Sequence, residues 1–137
     1  MFEQDYLMRM FVQFMTAIRR SIQKARNENN PAAAADLLEG AIGNATEIDG
    51  GILLSLAPES MAGVIQVSGT DPRVVEYLVR SLLLEAEYLD EANQSAKADL
   101  RSRQAEALAD AYGLDARTTP ISPEELDAFF DETLKDK

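Results

Sequence analysis

The chain has 137 residues, 46% of them hydrophobic and 27% charged, the balance of one globular domain that buries roughly two-thirds of its unfolded surface. Its 24 acidic residues outweigh 13 basic ones, and the net charge of -11 repels polyanions, so nucleic acid is not expected as a partner. Cysteine and histidine are absent, which removes zinc fingers, iron-sulfur clusters, Ser-His-Asp and Cys-His catalysis and His-containing di-iron sites, and leaves carboxylates, lysines and hydroxyls for any chemistry.

The opening twenty residues, MFEQDYLMRMFVQFMTAIRR, are apolar enough to suggest a membrane address. Glu3 and Asp5 stand where a secretory signal carries positive charge, and Arg9 and Gln13 break the apolar run, so neither a signal peptide nor stable membrane insertion is expected. On a helical wheel Phe2, Tyr6, Leu7, Met10, Phe11, Phe14, Met15, Ile18 and Ile22 share one broad arc, opposite Asp5, Arg9, Gln13, Thr16, Arg20 and Gln23. The spacing predicts a long amphipathic helix over 1–28, ending in the polar run Asn27-Glu28-Asn29-Asn30.

Asn30-Pro31 reads as an N-cap followed by proline in the first helical turn, and Ala34, Leu37, Leu38, Ala41, Ile42, Ala45 and Ile48 continue at helical spacing to a stop at Asp49-Gly50-Gly51. Gly40 and Gly43 weaken such a helix, so both are expected at a close helix crossing. Ile52 to Leu56 predicts one or two helical turns. Pro58 to Val67 predicts a short helix with Met61, Val64 and Ile65 facing inward; a strand over 64–67 would have no partner for its backbone.

Thr70-Asp71-Pro72 opens the next helix in the same cap-then-proline manner, with Val75, Leu78, Val79, Leu82, Leu83 and Ala86 on its apolar face. A further helix is expected from Asp90 or Glu91, packing through Ala92, Ala96, Leu100, Ala107, Leu108, Ala111 and Tyr112 and closed by Gly113. After a connector over 114–121, Ser122 and Glu125 form a capping box, Ile121 and Leu126 a hydrophobic staple, and Leu126, Phe129, Phe130 and Leu134 the apolar stripe of a C-terminal helix over 122–135.

The stretch LLLEAEYLDEANQSAKADLRSRQAEALADAYGLD, with a tyrosine before its turn and Asp90-Glu91-Ala92 opening an alanine-rich second helix, resembles a tetratricopeptide-type hairpin over 71–113, although that repeat's usual glycine and closing proline are missing. Met1 to Arg9 together with the Leu53-to-Met61 stretch is similar to a family of short bacterial proteins catalogued as a domain of unknown function. That resemblance covers roughly residues 1–113 and implies an all-helical, repeat-like fold; with the composition and the helix pattern it leads to the expectation of a cytoplasmic, all-α, tetratricopeptide-like bundle of five to seven helices with a long N-terminal helix, packed orthogonally with a right-handed sense as a single domain over 1–137. It brings no activity, cofactor or metal with it.

Function is therefore read from surfaces. The first helix offers more apolar arc than one partner helix covers, which points to self-association, as a homodimer, or to another protein partner through Phe11, Met15 and Ile18 or through Phe129 and Phe130. A second reading is an adaptor groove lined by Tyr77, Tyr88 and Tyr112, with Arg19 and Arg20 of the basic cluster Arg19, Arg20, Lys24 and Arg26 as its anion-binding edge. A third is a carboxylate- or divalent-metal-dependent enzyme built on Glu85, Glu87, Asp90 and Glu91 or on Asp127, Asp131 and Glu132; these positions are expected on solvated faces, and no residue is assigned to catalysis, cofactor or metal. The cluster Glu3-Gln4-Asp5-Tyr6 reads either as a site or as acidic residues at the positive end of the first helix.

Overall fold

A computed structural model describes the backbone of residues 2–115 and the side chains of residues 9–115. Six helices account for the described residues: α1 (Phe2–Arg26), α2 (Pro31–Thr46), α3 (Gly50–Leu53), α4 (Pro58–Ser68), α5 (Pro72–Glu91) and α6 (Ser95–Tyr112). The fold is an all-α bundle, and no strand is present among the described residues. None of these helices is long and apolar enough to cross a membrane.

The caps explain the boundaries. Asn30 accepts from Ala33 N at 3.1 Å and Asp71 from Arg73 N at 2.8 Å, each ahead of a proline whose missing N–H falls where no intrahelical bond is made. The Arg73 guanidinium, which also bonds Asp71 at 3.0 and 3.1 Å, holds that carboxyl below its usual pKa. Gly113, at φ 69°, closes α6 in the left-handed conformation that a glycine takes without strain.

Two boundaries differ from expectation. Asp49 does not stop α2; that helix already ends at Glu47, at φ 59°, and the Asp49 carboxylate instead caps α3 by accepting from Ile52 N at 3.0 Å. Likewise α5 runs on through Glu91, and the turn falls at Ala92 to Gln94, where Asn93 takes the left-handed conformation that asparagine tolerates and Gln94 N bonds back to Leu89 O.

Packing follows α1 against α2, α2 against α5, and α5 against α6, with α4 on α6 and α3 on α2. Phe11 and Phe14 meet Tyr77 at ring centroid distances of 5.0 and 6.4 Å, while Ser21 further along α1 meets Tyr88 further along α5, so these two helices run in the same direction. One core joins all the elements, from Phe14, Met15 and Ile18 through Leu38, Ile42, Leu53 and Met61 to Leu78, Leu82, Tyr88 and Leu108. On α4 the buried side chains are Met61, Ala62 and Ile65, whereas Val64, expected to face inward, is 39% exposed.

The two α2 glycines have different surroundings. A Cβ on Gly43 would meet Gly50 N at 2.9 Å and Ile48 O at 3.0 Å, so this glycine lets the chain turn closely into α3. Gly40 was expected at a crossing as well, but a Cβ there meets no described atom within 4 Å; its helix face is open.

Candidate functional site: a buried ionic junction and an open groove

Polar side chains gather inside the bundle where α2, α3, α5 and α6 meet. The Arg101 guanidinium donates from Nε to Glu85 Oε2 at 2.8 Å, from Nη1 to Leu54 O at 2.9 Å and to Gln104 Oε1 at 3.2 Å, and lies 3.8 Å from Glu39 Oε1. Gln104 Nε2 donates to Leu54 O at 3.0 Å and to Leu56 O at 2.9 Å. Leu54 follows the last residue of α3, so these side chains satisfy carbonyls that a four-residue helix leaves without partners.

Arg101, Gln104 and Glu85 are all buried, and burial decides the electrostatics. Desolvation, opposed by Arg101 and reinforced by Glu39 and Asp36, raises the Glu85 pKa to about 7. Ser81 Oγ and Glu85 Oε1, one turn apart on α5, have no hydrogen-bond partner among the described residues.

This junction corrects the expectation that Glu85 lies on a solvated acidic face. Val74, Leu78, Ser81, Glu85 and Tyr88 recur at alternating spacings of four and three, the period of a buried stripe, and all five are buried. On α6 the buried positions are Ala98, Arg101, Gln104, Ala105, Leu108 and Ala109; Ala96 and Ala111, expected to pack, are exposed. Tracing only apolar residues misplaced that face because Arg101 and Gln104 belong to it. Their signal is the spacing at which they share a stripe with Ala98, Ala105 and Leu108.

The second feature is a groove of about 720 Å³ between α1 and α2. Met10, Phe14, Ala17, Leu37 and Ala41 supply apolar lining, and Gly40 keeps its floor open. Arg9 and Arg20 stand on the α1 wall, and Asp36 and Glu47 on the α2 wall. Among the described residues neither arginine forms a salt bridge.

The structure separates the residues singled out for binding. Met15 and Ile18 are 2% and 0% exposed and pack inside the subunit; Phe11 is half-buried against Tyr77. Tyr77 and Tyr88 are buried in the core and Tyr112 is half-buried against it, so the three do not line a common groove. Arg19 and Arg20 are exposed, and Arg20 alone of the two lines the groove; Lys24 pairs with Glu28 at 3.0 Å. Phe129 and Phe130, the capping box of Ser122 and Glu125, and the acidic residues Asp127, Asp131 and Glu132 lie outside the described residues, as do the side chains of Glu3, Gln4, Asp5 and Tyr6. Sequence reasoning did not identify the groove, because its shape depends on how α1 and α2 cross.

Among the described residues no group of three or more Asp and Glu side chains is placed to hold a metal ion. No protein-family model, curated protein or solved structure matches the chain.

Proposed function

We propose that this protein is a non-enzymatic polypeptide-binding module whose site is the groove between α1 and α2. The observation carrying the reading is the groove itself: about 720 Å³ of space, apolar at its floor and edged by two arginines that form no salt bridge among the described residues. Its dimensions fall in the range that encloses several side chains, and an apolar floor between charged walls suits an amphipathic helix lying along it. The buried junction supports the same reading, because its hydrogen bonds join α5, α6 and the end of α3, and Arg101 lies 3.8 Å from Glu39 of α2, so that α2 is held beside them. The antiparallel α5–α6 hairpin supports reading this part as a tetratricopeptide-like unit, with α1 and α2 as the neighbours that such a unit needs.

The test is to pan a displayed library of amphipathic peptides against the full-length protein and against Gly40→Phe, which fills the groove at a position with room for a side chain. Peptides enriched on the native protein and lost on Gly40→Phe are the expected result. No enrichment, or enrichment that Gly40→Phe leaves intact, contradicts the reading. Light scattering at micromolar concentration examines the homodimer form of the proposal: a strict monomer of 15.1 kDa removes it.

A further inference from the structure

We propose that the ligand of the α1–α2 groove is an amphipathic helix of another protein that carries acidic residues along one flank of its apolar stripe and basic residues along the other, and that this segregation sets the direction in which the helix lies. The inference rests on the reading of the groove as a polypeptide site and adds the chemistry and orientation of its ligand.

The register of the two walls is the first argument. Arg9, Gln13, Thr16 and Arg20 follow one another at spacings of four, three and four, an exposed stripe along α1. Asp36, Gly40, Asn44 and Glu47, at spacings of four, four and three, form the matching exposed stripe of α2. Each rim is charged at both ends and uncharged between them. Arg9 to Arg20 and Asp36 to Glu47 are both steps of eleven residues, or three turns and about 16 Å. Only residues 27–30 join α1 to α2, so the two helices run antiparallel, with Arg20 and Asp36 at one end of the groove and Arg9 and Glu47 at the other.

Charge is the second argument. Both ends have the same polarity, arginine on the α1 rim and carboxylate on the α2 rim, and among the described residues no ion pair crosses the groove. A wholly acidic helix would be drawn to one wall and repelled by the other, and a wholly basic helix likewise. A helix with acids towards Arg9 and Arg20 and bases towards Asp36 and Glu47 meets complementary charge on both sides. Residues eleven positions apart return to the same flank of a helix, so an acid and a base at each end of three turns match all four wall charges.

Direction follows from the same arrangement. Turning a bound helix end for end while its stripe stays on Met10, Phe14, Ala17, Leu37 and Ala41 exchanges its two flanks, so only one direction puts the acids on the α1 side. Gly40, with no side chain midway along the α2 rim, lets the helix come close in either direction. Apolar contact therefore holds the ligand, and the wall charges orient it.

Two synthetic peptides of identical composition test the proposal on the full-length chain by fluorescence anisotropy. Both carry a leucine stripe; one segregates its Glu and Lys onto opposite flanks, and the other places one Glu and one Lys on each flank. The segregated peptide should bind at least about tenfold more tightly, because each exposed charge pair counts for up to about fivefold, and about 1 M salt should remove most of the difference. Equal affinity overturns the proposal, as does binding that Gly40→Phe leaves unchanged. Affinity that weakens as protein concentration rises would assign the groove to a second copy and also overturns it. With benzoylphenylalanine at its N-terminus, the segregated peptide should crosslink at one end of the groove on the native protein. On Arg9→Glu/Arg20→Glu/Asp36→Lys/Glu47→Lys, which inverts both walls, it should crosslink at the other end; capture at the same end in both proteins contradicts the assignment. Circular dichroism melting checks that the variant is folded. Asp36→Lys/Glu47→Lys gives an independent measurement: with both walls basic, a peptide with Glu on both flanks should outbind the segregated one. If panning enriches helices that Gly40→Phe loses while segregated and mixed peptides bind alike, the polypeptide reading stands and this inference falls; if panning finds nothing and neither peptide binds, both fall.

Discussion

The junction around Arg101 and the groove beside Gly40 lie on opposite faces of α2, and they treat polar groups in opposite ways. In the junction, Arg101, Gln104 and one Glu85 oxygen are bonded to one another or to the stranded carbonyls of Leu54 and Leu56. In the groove, Arg9 and Arg20 flank apolar surface and no described carboxylate pairs with them. In the junction only Ser81 Oγ and Glu85 Oε1 are left without partners among the described residues, whereas an open apolar trough with charged walls has both area and charge to offer. The difference teaches that the buried ions of this protein tie its helices together, while the groove leaves its arginines without a salt bridge among the described residues.

The comparison breaks most sharply at Arg101. Arg101→Met strips the buried Glu85 of its ion pair and Leu54 O of one donor, and the expected loss is about 3–5 kcal/mol, the range for removing one member of a buried pair. Urea denaturation of the variant measures it. A loss no larger than that of an exposed pair such as Lys24–Glu28, about 0–1 kcal/mol, would mean that water reaches the junction. Gln104→Leu leaves Leu56 O without its donor and should cost less, about 1–3 kcal/mol.

Glu85 gives the junction a pH dependence. Its folded-state pKa of about 7 lies above the ordinary 4.5, so between these values the folded chain holds a proton that the unfolded chain has released. Stability from this group is therefore fully present below about pH 4.5, declines as pH rises, and levels off above about 7, with a slope of at most about 1.4 kcal/mol per pH unit. Glu85→Gln should flatten the decline across this window when unfolding free energy is measured at several pH values. An unchanged slope would assign the dependence to the net charge of -11 instead.

Much of this architecture is legible in the sequence because caps and periods are local. Asn30-Pro31, Asp71-Pro72 and Gly113 mark helix ends through bonds reaching only a few residues, and they lie where expected. The junction was hidden because a carboxylate at a helical spacing looks solvated until a partner sixteen residues away folds back onto it, and Arg101 is that partner. The tyrosines misled for the opposite reason: their size suits a groove or a core equally, and only the packing of α1 on α5 decides that Tyr77 and Tyr88 go inside. The groove depends on the space left between α1 and α2, which no local rule encodes.

The smallest expected effect is also the most discriminating, because it sets the closed and open faces of one helix against each other. Gly43→Ala places a methyl group 2.9 Å from Gly50 N and 3.0 Å from Ile48 O, backbone atoms that move only if the α2–α3 turn shifts, and should cost about 1–3 kcal/mol. Gly40→Ala makes the same chemical change one helical turn earlier, where no described atom stands within 4 Å, and should gain up to about 1 kcal/mol from the lost backbone freedom of glycine. Thermal melting of the two variants side by side reads the sign of each. Opposite signs place Gly43 in the packed frame and Gly40 over free space, and they make any loss of binding in Gly40→Phe a matter of filled volume. Equal destabilisation would mean that the space above Gly40 is not free.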